Sequence, residues 1–238
     1  MKKSLFLLLC ACLSVAALAE NSAIVPASRT SPTNWMARHK GFLAEARQEN
    51  FDLVFIGDSI TDGWRKRGRE VWDQFYAPRH ALNLGIGGDR TQHVLWRIEH
   101  GELDGLKPKV VVLMIGTNNT GKERGGAPRN STAEVIEGVT TVVKAIRTKL
   151  PESKLLLLAI FPRGAVHAPQ RDQVKQINTA LAKLDDGKMI KFLDIGKVFL
   201  AEDGSIPRTI MPDLLHPNAA GYQRWADAME PTLAAMLK

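Results

Sequence analysis

Beyond residue 50 the chain alternates short apolar runs with segments whose apolar positions recur at helical spacing. The runs are Leu53-Val54-Phe55-Ile56, Ala81 to Leu84, Val110 to Ile115, Leu155 to Phe161 and Ile190 to Ile195. The Val110 and Leu155 runs are apolar at nearly every position, as strands covered on both faces tend to be. Between them, Ser131 to Leu150 sets Val135, Ile136, Val139, Val142, Val143 and Ile146 on one helical stripe. Ser131 and Glu134 form the sequence pattern of a capping box at its start. Asn218 to Leu237 reads as a second helix with Asn218 as its cap. Short strands joined by helical crossovers predict a single-domain three-layer α/β/α sandwich around a five-stranded parallel sheet in the flavodoxin-like order 2-1-3-4-5. In such sheets ligands sit outside the carboxyl ends of the strands. No internal repeat or low-complexity tract interrupts this pattern.

The amino-terminal residues follow a different logic. Lys2 and Lys3 precede an apolar stretch from Leu5 to Ala17, and Ala17-Leu18-Ala19 offers a small-x-small cleavage pattern. Residues 1–19 are therefore expected to be a secretory signal peptide, cut between Ala19 and Glu20, with periplasmic or extracellular export. The stretch is short for a bilayer span, and nothing later approaches ~18 uninterrupted apolar residues. A lipidation site at Cys10 or Cys12 is the rival, disfavoured because bulky Leu9 precedes Cys10 and either cut would truncate the apolar region. Residues 20–33, with Pro, Ser and Thr from Asn21 through Thr33, read as a flexible mature amino terminus ahead of a catalytic domain at 34–238.

Composition changes this picture only in part. Of 238 residues 45% are hydrophobic and 24% charged, which is globular usage and excludes a disordered or fibrous chain. Lys and Arg number 32 against 25 Asp and Glu, a net +7. Removing the leader leaves 219 residues (238 − 19) and a charge of +5 (+7 − 2). No run of like charges marks a nucleic-acid arm, so nucleic acid is not an expected partner. Cys10 and Cys12 both fall in the leader, so the mature protein would hold itself together without disulfides, by its core.

Four clusters follow the predicted strands. Gly57-Asp58-Ser59-Ile60-Thr61 places Ser59 at a helix start, where it is either a nucleophile or simply a cap. Asn83 to Thr91 holds a glycine loop whose spacing fails the G-x-G-x-x-G dinucleotide pattern but whose backbone N–H groups can approach a ligand closely. Gly116-Thr117-Asn118-Asn119 offers either a turn or an amide donor from Asn118. Asp213-Leu214-Leu215-His216 spaces an acid three residues before a base, so that Asp213 can receive the Nδ1 proton while Nε2 faces out. Alone, that last motif reads more readily as a metal-ligand pair or a surface turn; no further His or Asp cluster completes a metal site. His80, His93 and His167 lack such an acid, and His39 and His100 lie in expected helices. In strand order 2-1-3-4-5 the first strand lies between the second and third. A serine at its end would be flanked by donors from the loops at Gly88 and Asn118, the geometry of an oxyanion hole.

The four blocks in this order resemble the SGNH (GDSL) hydrolase superfamily over roughly residues 35–236. Asn83 through Asp89, Trp96-Arg97, Gly101-Glu102-Leu103, Lys107-Pro108-Lys109 and Gly116-Thr117-Asn118-Asn119 resemble more narrowly the platelet-activating-factor acetylhydrolase catalytic subunits. The resemblance implies Ser59 as nucleophile, His216 as base and Asp213 as its orienting acid. It implies an oxyanion hole of the Ser59 N–H, the Gly88 N–H and the Asn118 amide, and a small acyl pocket at Ile60, Thr117 and Leu215. No metal or organic cofactor is implied. The sequence departs from these relatives in its leader and in the loop Thr120 to Asn130.

The expectation is a secreted serine esterase acting on short acetyl esters, of acetylated carbohydrate above all. The alternatives are a short-chain phospholipid or general acylhydrolase, and a non-catalytic carbohydrate-binding module. The partner is then a small-molecule or polysaccharide ester, with no membrane span and a monomeric or homodimeric state. Trp64, Trp72 and Trp96 are candidates for sugar stacking or for core packing, and Arg163, after the fourth run, for the rim of the site.

Overall fold

The computed structural model describes residues 20–29 and 34–238. Strands β1 (Leu53–Gly57), β2 (Ala81–Asn83), β3 (Val110–Met114), β4 (Lys154–Leu158) and β5 (Ile190–Leu193) form one parallel sheet in the order β2-β1-β3-β4-β5, as the pattern of runs predicts. Gly57 pairs with Met114 and Phe55 with Asn83, so the carboxyl ends of the three strands nearest the site stand side by side.

The helices are α1 (Asn34–Glu45), α2 (Ser59–Asp62), α3 (Arg69–Phe75), α4 (Thr91–Glu99), α5 (Thr132–Lys149), α6 (Pro169–Leu181) and α7 (Ala219–Leu237). Side chains alternate across a strand. Accordingly Val54, Ile56, Val111, Leu113, Leu155 and Leu157 pack with α1, α4, α5 and α6. Their neighbours Leu53, Phe55, Val110, Val112, Leu156 and Leu158 pack with α3 and α7. Two apolar layers thus enclose the sheet, and burial of each such side chain contributes about 1.5–3 kcal/mol.

Helix α5 starts as its sequence dictates. Ser131 N–H donates to Glu134 Oε2 (2.7 Å) and Glu134 N–H to Ser131 Oγ (3.3 Å), and the expected stripe is buried except for half-buried Ile136. Asn218 Oδ1 caps α7 by accepting from Gly221 N–H. The fourth apolar run is longer than its strand. After Leu158 the Asn178 side chain holds both the N–H and the carbonyl of Ile160 (2.9 Å each), taking the place of a ladder partner.

Residues 20–29, flexible by composition, are laid against the domain. Ala23 is fully buried, and its carbonyl accepts from Thr91 Oγ1. Ala27 N–H donates to the Gln92 carbonyl, and Asn21 Nδ2 donates to Glu137. Polar side chains here serve as anchors to other segments. The expected leader, with Cys10 and Cys12, and residues 30–33 lie outside the described residues. No helix among the described residues is long and apolar enough to cross a membrane.

Candidate active site

Ser59 is placed by a turn that only glycine permits. A Cβ on Gly57 would stand 2.5 Å from the Met114 carbonyl and collide with Thr61 Oγ1. The cap of α2 is Asp58, whose Oδ1 accepts from Ile60 N–H at 2.9 Å. Ser59 is therefore relieved of capping, and its hydroxyl points elsewhere. Two long-range bonds steady this short helix: Tyr222 Oη donates to the Ile60 carbonyl (2.6 Å) and Asn83 Nδ2 to the Thr61 carbonyl (2.9 Å).

The hydroxyl meets the D-x-x-H turn. Ser59 Oγ lies 2.9 Å from His216 Nε2, and His216 Nδ1 lies 2.6 Å from Asp213 Oδ2. An ionised carboxylate only accepts, so Nδ1 carries the proton and Nε2 is left to accept from the serine. Asp213 Oδ1 also accepts from the N–H groups of Leu215 (3.1 Å) and His216 (2.7 Å), locking the turn. Partial burial works against the charged carboxylate. The hydrogen bonds from the His216 ring and backbone nevertheless hold it down at about 2. Leu214 adopts φ 59, a left-handed conformation that a leucine rarely takes, and its carbonyl is held by Gly164 N–H (2.8 Å).

Gly88 and Asn118 line one cleft. Gly88 has φ 81, a conformation suited to glycine. The preceding Gly87 runs so close to the serine that a Cβ there would lie 3.8 Å from Ser59 Cβ. Asn118 Nδ2 donates one proton to the Asp89 carbonyl at 2.9 Å. That bond fixes the amide beside Gly88, and the second Nδ2 proton is left over. Under the loop, fully buried Asp89 accepts from Trp35 Nε1 (2.7 Å) and pairs with Arg97 (3.0 Å), which also pairs with buried Glu102. Burial pushes Glu102 up to about 7 against the pull of Arg97, and it raises Asp58, a residue before the serine, to about 7 as well.

Of the expected acyl-pocket residues, Ile60 and Thr117 are 1% and 2% exposed, and Leu215 is half-buried against the α7 side of the core. Arg163 is no freely solvated rim residue: its Nη1 donates to the Thr117 carbonyl (2.7 Å) and props that loop. Trp64 is fully buried in the core, Trp72 packs on Phe55 and Tyr76, and Trp96 stacks on His100 and meets Trp35 at a tilt. Among the described residues no three His, Cys, Asp or Glu side chains converge as a metal site. The supporting roles of Tyr222, Asp89, Arg97 and Glu102 escape sequence reasoning, although Trp96-Arg97 and Gly101-Glu102-Leu103 already stand out as motif residues.

An alcohol, a neutral imidazole and a carboxylate in one hydrogen-bonded row can deprotonate the alcohol as it attacks a carbonyl. The family model for GDSL-like lipases and acylhydrolases matches residues 55–224. Platelet-activating factor acetylhydrolase IB subunit alpha1 of Homo sapiens is 35% identical over 220 residues, covering 89% of this chain and 91% of that protein. A GDSL-like lipase of Bacteroides thetaiotaomicron superposes with a TM-score of 0.63 at 19% identity, covering 84% of this chain and 97% of the other. An acetyl xylan esterase superposes with a TM-score of 0.62 at 22% identity, covering 76% and 98%. At such identities the two structures share the fold.

Proposed function

Because this chain belongs to the GDSL-like lipase/acylhydrolase family of ester-hydrolysing enzymes, we propose that it removes short acyl groups, acetyl above all, with Ser59 as nucleophile. The observation that carries this is the row Ser59 Oγ, His216 Nε2 and Nδ1, Asp213 Oδ2, at 2.9 and 2.6 Å. His216 takes the serine proton as Oγ attacks the ester carbonyl. The N–H groups of Ser59 and Gly88 and the spare amide proton of Asn118 stabilise the tetrahedral oxyanion. His216 then protonates the departing alcohol, and water repeats the sequence on the acyl-enzyme. Asp213 holds the imidazole in the required tautomer. The small acyl pocket that the family resemblance assigns to Ile60, Thr117 and Leu215 supports acetyl, and two of these side chains are buried. The chemistry calls for no metal or organic cofactor.

The natural substrate in this reading is acetylated carbohydrate. The leader pattern of residues 1–19 supports export, and an exported enzyme meets polysaccharide esters. Likeness of fold to an acetyl xylan esterase is in keeping with it. The second reading, a phospholipid acetylhydrolase, is favoured by the 35% identity to the acetylhydrolase subunit. The test is an acyl-chain series of p-nitrophenyl esters from C2 to C8 beside acetylated xylan, with Ser59→Ala as control. C2 should far outpace C8, acetate should appear from xylan, and both should vanish in the variant. Undiminished hydrolysis by Ser59→Ala sinks the serine mechanism.

A further inference from the structure

A cleft of about 440 Å³ opens beside the glycine loop, lined by Arg29, Gly88, Arg90, His93, Asn118 and Arg129. Two of these, Gly88 and Asn118, are the residues assigned to the oxyanion notch, so cleft and notch share a wall. The three arginines arrive from three segments. Arg29, on the docked amino-terminal segment, donates to the Gly87 carbonyl (2.7 Å), and its guanidinium covers Gly88 so closely that a Cβ there would meet Nη2 at 3.1 Å. Arg90 opens α4. Arg129 comes from the loop Thr120 to Asn130, in which this chain departs from its relatives, and donates to the Asn118 carbonyl at 2.9 Å.

Like charges gathered in this way repel one another, and the two carboxylates that offset them, Glu123 and Asp89, are not among the cleft's lining residues. Glu123 pairs with Arg90 (2.6 Å) and lies 3.7 Å from Arg129, but it sits outside the cleft with its side chain half exposed. Asp89, which Arg29 also touches at 3.2 Å, is shared with Arg97. No residue described in the lining carries a carboxylate. The repulsion registers on the neighbours. Burial, then Arg29, Arg90, Arg97 and Arg129, push His93 down to about 3, so its neutral Nδ1 accepts the Arg90 N–H (3.0 Å). Burial, Arg90 and Arg29 lower Arg129 too, and its buried Nε finds no hydrogen-bond partner among the described residues. Converging guanidinium groups are the arrangement by which proteins seat carboxylates and phosphates.

We propose that this cleft is a subsite for an anionic group on the alcohol side of the ester, and that the preferred substrate is an acetylated sugar bearing a carboxylate, a uronate. The proposal rests on the carbohydrate reading above. A phosphocholine ester fits less well, since the lining holds neither an acid nor an aromatic ring beyond the imidazole for the trimethylammonium to sit against.

The experiment compares an acetylated methyl galactosiduronate with its neutral methyl ester and with an acetylated glycerophosphocholine, beside p-nitrophenyl acetate. The uronate should exceed its methyl ester about tenfold or more in kcat/KM at low salt, as expected of charge-assisted hydrogen bonds. That ratio should shrink as salt screens the cleft, and free galacturonate, unlike galactose, should compete against p-nitrophenyl acetate. In Arg90→Gln and Arg129→Gln the ratio should fall, chiefly through KM of the acidic substrate. A ratio near one in the unaltered enzyme, or one that survives both substitutions together, overturns the subsite while leaving the esterase intact. Faster cleavage of the phosphocholine ester than of either sugar overturns it in favour of the lipid reading. Failure to hydrolyse even p-nitrophenyl acetate would strike the parent reading instead.

Discussion

Tyr222 donates a 2.6 Å hydrogen bond to the carbonyl of Ile60, across 162 residues of chain. Both groups are buried, and the bond joins α7 to the four-residue helix that begins with Ser59. Tyr222→Phe removes the donor and leaves the carbonyl dry and unpaired. Such a loss costs about 1–3 kcal/mol, read as a lower urea midpoint. Because the strand-to-helix turn is what sets Ser59 Oγ, kcat should fall while KM moves little. Unchanged stability and unchanged kcat together would remove the tyrosine from this role.

Asn118→Ala should reduce kcat by on the order of 10²–10³, the usual loss on deleting one oxyanion donor. The same side chain also binds the Asp89 carbonyl, so thermal unfolding must be followed in parallel. A loss below tenfold with an intact fold contradicts the assignment.

Asp58 supplies a pH signature. In the unfolded chain it ionises near 3.8, whereas burial raises it to about 7 in the native state. The native state therefore holds its proton more tightly, and stability falls as pH rises from about 4 to about 7 and then levels. Asp58→Asn keeps an oxygen to accept from Ile60 N–H but cannot ionise. Urea unfolding from pH 4 to 8 should show a flatter profile in the variant, the difference reaching on the order of a few kcal/mol. Parallel profiles would assign the slope to other groups.

The ion cluster beneath the glycine loop should be intolerant of single deletions. Arg97 and Glu102 are fully buried and paired, and Arg97 also holds Asp89. Arg97→Met strands buried Glu102 and leaves Asp89 with only Trp35 and Arg29, with an expected cost of about 3–5 kcal/mol. A midpoint shift worth under 1 kcal/mol would mean that water or neighbours compensate.

What was legible in the sequence was what neighbours along the chain decide. The capping box of Ser131 and Glu134, the unbroken apolar runs that became β3 and β4 and the three-residue spacing of Asp213 and His216 each lie within one element. The parallel sheet followed from crossovers, and its order sets the loops that carry Gly88 and Asn118 on either side of the strand that ends before Ser59. Features made by distant partners stayed hidden. β4 ends early because Asn178, eighteen residues past Ile160, captures that residue's backbone. Residues 20–29 read as loose because their anchors, Thr91, Gln92 and Glu137, lie on other helices. Trp64, Trp72 and Trp96 offered the same apolar rings for sugar or for core, and only packing partners separate the two.

The docking of the amino-terminal segment also bears on how the enzyme can be handled. An affinity tag fused directly ahead of Glu20 would precede a segment whose Arg29 forms part of the arginine cleft. A version trimmed back to the start of the first helix would lose Arg29 along with the plug that Ala23 drives between neighbouring helices. Tags belong at the opposite terminus, after Lys238, and a shortened protein that still unfolds cooperatively would owe any change in its choice of esters to the missing guanidinium.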